Sequence, residues 1–152
     1  MKTKDNEEKI RKAIWRFLLI VMLIFVFDHL LKNLSSNKCF LFLCSKHSIN
    51  TGAAFSLFAG FPWIKFVLIV IASAVLIAVG IFYFKYGEKK LLKLALPLIF
   101  AGTLSNLLDR IFLGYVIDSL TFSFWASFPA FNIADASNLV GVVLLIIYLI
   151  KT

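Results

Sequence analysis

Four carboxylates stand where an apolar chain should not hold them. Asp28, Asp109, Asp118 and Asp135 lie inside or beside long apolar runs, whereas Asp5, Glu7, Glu8 and Glu88 fall in polar, basic segments. An ionised side chain at the middle of a bilayer costs roughly 2.5–3.5 kcal/mol on insertion scales, so each must be paired, near an interface, or in a wet cavity. Asp28 and Lys32 are four apart, and Asn106, Asp109 and Arg110 stand at i, i+3 and i+4, so each set shares one helix face. Opposite charges are at hand for Asp28 with Lys32, and for Asp109 with Arg110 or another partner, which reads first as structural pairing. Asp135 follows Asn132 by three, the spacing of a helix N-cap and an N3 carboxylate favoured by the helix dipole. Asp118 has no such local account. Its neighbours are Val116, Ile117, Ser119 and Leu120, with no cation in reach along the chain.

Two carboxylates without assigned cations can activate water if the fold brings them together. Both cannot ionise at close range, so one keeps its proton and the other remains a base. The base takes a proton from water, and the acid protonates the oxygen or leaving nitrogen of an amide. That is aspartyl proteolysis, with Asp118 and Asp135 as the pair. No serine, cysteine or lysine nucleophile is better placed. His29 and His47 are the only histidines and no HExxH motif occurs, so no metal or other cofactor is expected.

The elements that must position these groups are membrane spans. Of the 152 residues, 61% are hydrophobic, above the 45–50% or so typical of soluble domains. Four apolar stretches approach the ~20 residues a bilayer requires, at about 13–34, 63–84, 91–112 and 132–150. The expected fold is an all-α membrane protein: four transmembrane helices, plus a small extracytoplasmic β-rich element from the outer loops. It forms one integral membrane domain over residues 1–152.

The net charge of +8 is distributed against a nucleic-acid role. Lys2, Lys4, Lys9, Arg11, Lys12 and Arg16 flank the first span, and Lys85, Lys89, Lys90 and Lys93 crowd the link after the second. This positive-inside bias puts both termini in the cytoplasm and the first and third loops outside. Every displaced charge then falls at one depth, the outer rim of the bundle. The basic start and apolar run resemble a signal peptide, but no small-x-small cleavage site follows, so the segment reads as a retained first span.

Stretches 38–44 and 115–124 are β-prone and partly alternating, which suits a small antiparallel sheet on the outer leaflet. Phe55, Phe58, Phe61, Trp63, Phe122, Phe124, Trp125 and Phe128 give these loops an aromatic belt, either an interfacial anchor or a wall around a lipid-bearing substrate. Cys39 and Cys44 fit a disulfide outside the cytoplasm, two free thiols, or a local staple, and zinc-like ligand spacing is lacking.

With these residues in view, the chain resembles the lipoprotein signal peptidases, also called signal peptidase II. Five polar boxes in order support the resemblance: Asp28-His-Leu-Leu-Lys32; Asn50-Thr-Gly-Ala-Ala-Phe55-Ser56; Gly102-Thr-Leu-Ser-Asn106-Leu-Leu-Asp109-Arg110; Gly114-Tyr-Val-Ile-Asp118; and Phe131-Asn132-Ile-Ala-Asp135. It implies that Asp118 and Asp135 form a catalytic dyad. Asn50, Asn106, Arg110 and Asn132 match positions that line the site, Gly52 one in the loop that cradles substrate, and Asp28 with Lys32 a supporting pair. Asp109 shares the face of Asn106 and Arg110.

The implied substrate is a diacylglyceryl-modified prolipoprotein, cut just before its lipid-bearing cysteine at the outer face of a bacterial cytoplasmic membrane. Membrane lipids are the other partners, the enzyme is expected as a monomer, and the cyclic peptide globomycin should inhibit it. Ser105, Ser119 and Leu31 depart from the family pattern, where a glycine, an aromatic and a small hydroxyl residue are usual. A small proton-linked transporter is the competing class, since intramembrane carboxylates mark such pathways too. A conduction path should, however, carry polar groups at several depths, and here they stop short of the cytoplasmic half.

Overall fold

A computed structural model of the protein describes residues 2–34, 38–87 and 89–151. Glu88 and the side chains of Lys2, Lys4 and Asp5 lie outside the described part. The elements run α1 (Lys2–Asn33), β1 (Cys39–Phe40), β2 (Leu43–Asn50), α2 (Ile64–Tyr86), α3 (Leu92–Phe112), β3 (Val116–Phe122) and α4 (Ile133–Lys151), with a short 3-10 turn at Ala54–Ser56. All four long helices are long and apolar enough to cross a membrane. The spans read from the sequence are thus found, and one is longer than expected. α1 continues through the charged segment before residue 13, because Lys, Arg and Glu are good helix formers and need no apolar environment. Its 32 residues cover about 48 Å at 1.5 Å each, more than the ~30 Å hydrocarbon core.

α3 is the central helix. It is the most buried of the four, and α1, α2 and α4 all pack on it. Close approach of α4 depends on small residues, as is usual between membrane helices. A Cβ on Gly102 would collide with the Ala134 carbonyl, and one on Gly141 would stand 2.7 Å from Ile99 Cγ1 and 2.9 Å from the Ala95 carbonyl. Ser137 Oγ donates to Leu98 O at 2.8 Å, just after the buried Pro97, adding a polar tie in the same interface. At the end away from the sheet, Tyr83, Leu92 and Leu96 form a buried cluster with Phe17 against it. Tyr83 Oη donates to Ala13 O at 2.7 Å there, joining α2 to α1. α2 and α4 lie on different flanks of α3, leaving a groove between them. The outward sides of the helices are rich in exposed Leu, Ile, Val and Phe, the composition of a lipid-facing surface.

The sheet expected from the loops is present, antiparallel, in the order β1-β2-β3. Cys39 and Cys44 face each other across β1 and β2 and are disulfide-bonded, which resolves the three readings of that pair. β2 runs on to Asn50, past the stretch expected from alternation, and a bulge between Ser45 and Ser48 resets its register. Beyond the bulge Ser48 pairs with Asp118 and Asn50 with Val116. A separate bridge joins Leu120 to Phe131, with N–H···O distances of 2.8 and 2.9 Å. It docks the chain entering α4 beside β3 and so brings Asn132 to Asp118.

Candidate functional site

Asp118 and Asp135 line one cavity of about 670 Å³ at the sheet end of the α2–α4 groove. β3 presents Asp118, which is 4% exposed. Its Oδ2 accepts from Asn50 Nδ2 at 3.2 Å and its Oδ1 from Asn132 Nδ2 at 3.1 Å. The first turn of α4 presents Asp135. Asn132 caps that turn by accepting the Asp135 N–H at 2.7 Å, and Asp135 Oδ2 accepts the Asn132 N–H at 3.2 Å, a reciprocal capping box. The cap expected from the Asn132–Asp135 spacing is therefore formed, and it also fixes the carboxylate.

An amide relay connects the two acids. Asn106 Nδ2 donates to Asp135 Oδ1 at 2.8 Å, and Asn106 Oδ1 accepts from Asn132 Nδ2 at 3.1 Å. Asn132 is fully buried. Its two amide hydrogens are shared among Asn106, Asp118 and the Ile117 carbonyl at 3.1–3.2 Å. Burial, then the negative charge of Asp135, pushes the Asp118 carboxyl up to about 7, against the opposing pull of the Asn50 hydrogen bond, Lys32 and Arg110.

The supporting residues separate into two groups. Arg110 does not pair with Asp109. Its Nη2 donates to Gly52 O at 2.9 Å and its Nη1 to Asn106 O at 3.2 Å, so it ties the first loop to α3. Gly52 N donates to Asn50 Oδ1 at 3.0 Å, and a Cβ on Gly52 would strike the Leu57 carbonyl and the Ser56 and Ala59 backbone. The loop therefore folds on itself where only glycine fits. Phe55, Ser56 and Phe58 beyond it adopt left-handed φ of 56–61°, a conformation disfavoured for non-glycine residues. Phe55 stacks edge-on against Phe128 at 6.5 Å, and both line the cavity. Phe122 does so too, whereas Phe124 and Trp125 are exposed, so the aromatic belt supplies both a wall and an outer surface.

The second group lies outside the cavity lining. Lys32 Nζ stands 2.5 Å from Asp28 Oδ2 and 2.7 Å from Asp109 Oδ2, and all three residues are at most 4% exposed. Asp28 Oδ1 accepts the Ala134 N–H at 3.0 Å, and Asp109 Oδ2 accepts the Ile117 N–H at 3.3 Å. Those amides belong to the residues immediately before Asp135 and Asp118. The expected Asp28–Lys32 pair is present, and of the partners left open for Asp109 it is Lys32, not Arg110, that the structure supplies. Helix rotation explains the choice. Asp109 turns toward α1 while Arg110, 100° further round, turns toward the loop. Ser105, read from sequence only as a departure, is fully buried and donates to Asp28 Oδ2 at 2.6 Å. No signal in the sequence marks it as a partner of Asp28, since Thr103 and Asn106 stand beside it in the same polar stretch. The buried hydroxyl of Ser119 has no partner among the described residues, and nothing in the structure explains it.

A bundle of four helices long and apolar enough to cross a membrane, with two hydrogen-bonded carboxylates in a cavity beside its sheet, defines the class as an integral membrane protein. Comparison with known proteins gives the family. A family model described as signal peptidase (SPase) II matches residues 20–151. The chain is 42% identical over 100 residues to a lipoprotein signal peptidase of Halothermothrix orenii, covering 66% of this chain and 65% of that protein. It is 41% identical over 109 residues to that of Enterococcus faecalis, covering 72% and 66%. To that of Aquifex aeolicus it is 34% identical, covering 93% and 89%. The aligned part thus spans just under two thirds of the first two relatives and most of the third. Among solved structures, a bacterial membrane enzyme determined in meso at 2.3 Å superposes with a TM-score of 0.79 at 32% identity, covering 89% of this chain and 87% of that one. The chain belongs to the signal peptidase II family, whose members are peptidases of the aspartic type. It is a bacterial membrane protein.

Proposed function

We propose that this chain is an aspartic endopeptidase that removes the signal peptide from diacylglyceryl-modified prolipoproteins, cutting just before the lipid-bearing cysteine. The observation that carries this reading is the shared cavity of Asp118 and Asp135, joined by the Asn106–Asn132 relay. Asp135 is the base. It takes a proton from water as the water oxygen attacks the scissile carbonyl, and Asp118 gives its proton to the carbonyl oxygen. The resulting diol collapses: Asp118 recovers a proton from one hydroxyl, Asp135 passes its proton to the nitrogen, and the C–N bond breaks. The products are the carboxyl end of the signal peptide and the amino group of the lipidated cysteine. Asn50, Asn106 and Asn132 hold the carboxylates in place. Arg110 and Gly52 shape the loop over the substrate, and Asp28, Lys32 and Asp109 support the backbone behind the dyad.

The enzyme works as a monomeric, single membrane domain with both termini in the cytoplasm and the dyad at the outer face. The apolar groove takes the lipid chains while water reaches the rim. A cysteine introduced at the exposed Lys46 should react with an impermeant thiol reagent added outside intact cells, and one at Lys151 should not. The opposite pattern would invert the site.

The reading is tested with a purified enzyme and a synthetic diacylglyceryl-modified precursor peptide, in EDTA and without added metal. Cleavage should proceed, and globomycin should block it; loss of cleavage in EDTA that zinc restores would overturn the two-acid scheme. The pH profile supplies a sharper check. A carboxyl whose folded pKa is raised holds its proton below that value and loses it above. With Asp118 as the acid, kcat/KM should fall about tenfold per pH unit above about 7. The same sign applies to stability, since a raised carboxyl opposes folding as the pH rises through 7. A rate still rising at pH 9 would exclude Asp118 as the acid.

A further inference from the structure

One polar pair in the groove is not used by this chemistry. Thr103 lies one turn of α3 before Asn106, and Asn138 one turn of α4 after Asp135. Both line the cavity, on the side of the dyad away from the sheet. Their neighbours there are apolar, with Leu68, Ile71 and Val75 of α2 across the gap and Leu139 beside them. Thr103 Oγ1 donates to Asn138 Oδ1 at 3.2 Å, joining α3 to α4. That bond uses only one end of the amide. Among the described residues nothing accepts from Asn138 Nδ2, although an amide group has two hydrogens to give. The close packing of α3 on α4 also fixes the side chain, because Asn138 Cγ would lie 2.8 Å from any Cβ added at Gly102. An amide held in the lining of a largely apolar groove, with its hydrogens not taken up among the described residues, suits a ligand acceptor that comes without its own donor.

We propose that Asn138, oriented by Thr103, is a specificity residue that donates a hydrogen bond to an ester carbonyl of the substrate's diacylglyceryl group. This rests on the proposed function. Three residues along α4 advance about 4.5 Å from the dyad toward the membrane interior. In the substrate, the nearer ester carbonyl is about eight bonds from the scissile carbonyl, a reach of about 10 Å or less. The backbone carbonyls of a helical signal peptide are already bonded within their own helix. The ester carbonyls are not, and apart from the last turn of that helix, whose carbonyls are also unbonded, they are the free acceptors at this depth. In an apolar site an unmade bond leaves a donor stranded, which makes the contact a discriminating one.

The test compares a diester-bearing precursor peptide with its dialkyl-ether analogue, identical except for the carbonyls. The assay is run in a detergent free of ester groups, so that no bilayer phospholipid competes for the same donor. The wild type should show a KM for the diester roughly three- to tenfold below that for the diether, as expected for one hydrogen bond. Asn138→Leu should raise the diester KM to the diether value, leave kcat within about twofold, and change the diether reaction little; Thr103→Val should act in the same direction. If Asn138→Leu slows both substrates equally, the pair only joins α3 to α4 and the proposal falls. If the variant keeps the wild-type preference, the proposal also falls. If the wild type cuts neither peptide, the proposed function itself fails, and that result is distinct from the other two.

Discussion

Asp118→Asn and Asp135→Asn should each reduce cleavage of the lipidated precursor below detection, with insertion and thermal stability close to wild type. Asparagine keeps the size of the side chain and can still accept a hydrogen bond through its oxygen. Asp118 accepts on one oxygen from Asn50 and on the other from Asn132, and Asp135 likewise from Asn106 and the Asn132 backbone, so each swap keeps one of these bonds and forfeits the other, about 1 kcal/mol and small beside the loss of activity. What the amide cannot do is exchange a proton with water or the leaving nitrogen at neutral pH. A general acid or base contributes about 10²–10⁴-fold, and in the proposed scheme each carboxyl serves in both halves of the reaction, so the loss should reach or exceed the upper figure. Single-turnover assays with excess enzyme would separate a slow chemical step from slow release. Either variant turning over at more than about a tenth of the wild-type rate would remove that aspartate from the dyad, because a group that transfers the proton cannot be dispensable.

The periodicity of the chain revealed faces, but it could not reveal which face meets which. Asp28 with Lys32, and Asn106 with Asp109 and Arg110, were legible as shared faces because 3.6 residues per turn fixes them within one helix. The Asn132–Asp135 cap was legible for the same local reason. The rotation of α3 against α1 is set by packing over many residues. It therefore took the structure to give Asp109 to Lys32 and Arg110 to Gly52 O, partners 77 and 58 positions apart. Ser105 was read as a departure from a pattern when it is a donor to Asp28, since a buried hydroxyl has no sequence signature of its own. The Cys39–Cys44 bond needed a strand pairing that alternation only hinted at. Asn138 carries no such signal, because a single amide in an apolar helix is ordinary glue unless a groove lies beside it.

Lys32→Met should be strongly destabilising. Lys32 bridges two carboxylates that are both shut away from solvent, Asp28 and Asp109, at 2.5 and 2.7 Å, with His29 Nε2 a more distant 3.8 Å from Asp109 Oδ1. Removing one partner of a buried ion pair costs about 3–5 kcal/mol, because the charge left behind has neither water nor counterion. Two carboxylates are left behind here, and they then repel each other. For a chain of this size that corresponds to a fall of roughly 6–20 °C in the unfolding midpoint. The functional loss should be larger than the stability loss alone explains. Asp28 holds the N–H of Ala134 and Asp109 that of Ile117, so the Asp–Lys–Asp bridge spans the backbone immediately before both Asp135 and Asp118. When it splays, Asp118 and Asp135 should lose their registration even in molecules that remain folded. The proper contrast is Lys12→Met, which breaks a 2.7 Å pair with Glu8 on the exposed part of α1 and should leave midpoint and turnover unchanged. Purified Lys32→Met protein should therefore show a lowered midpoint and, assayed well below it, a deficit in kcat. A variant as stable and as active as the Lys12→Met control would mean that the buried bridge neither holds the bundle together nor sets the spacing of the dyad.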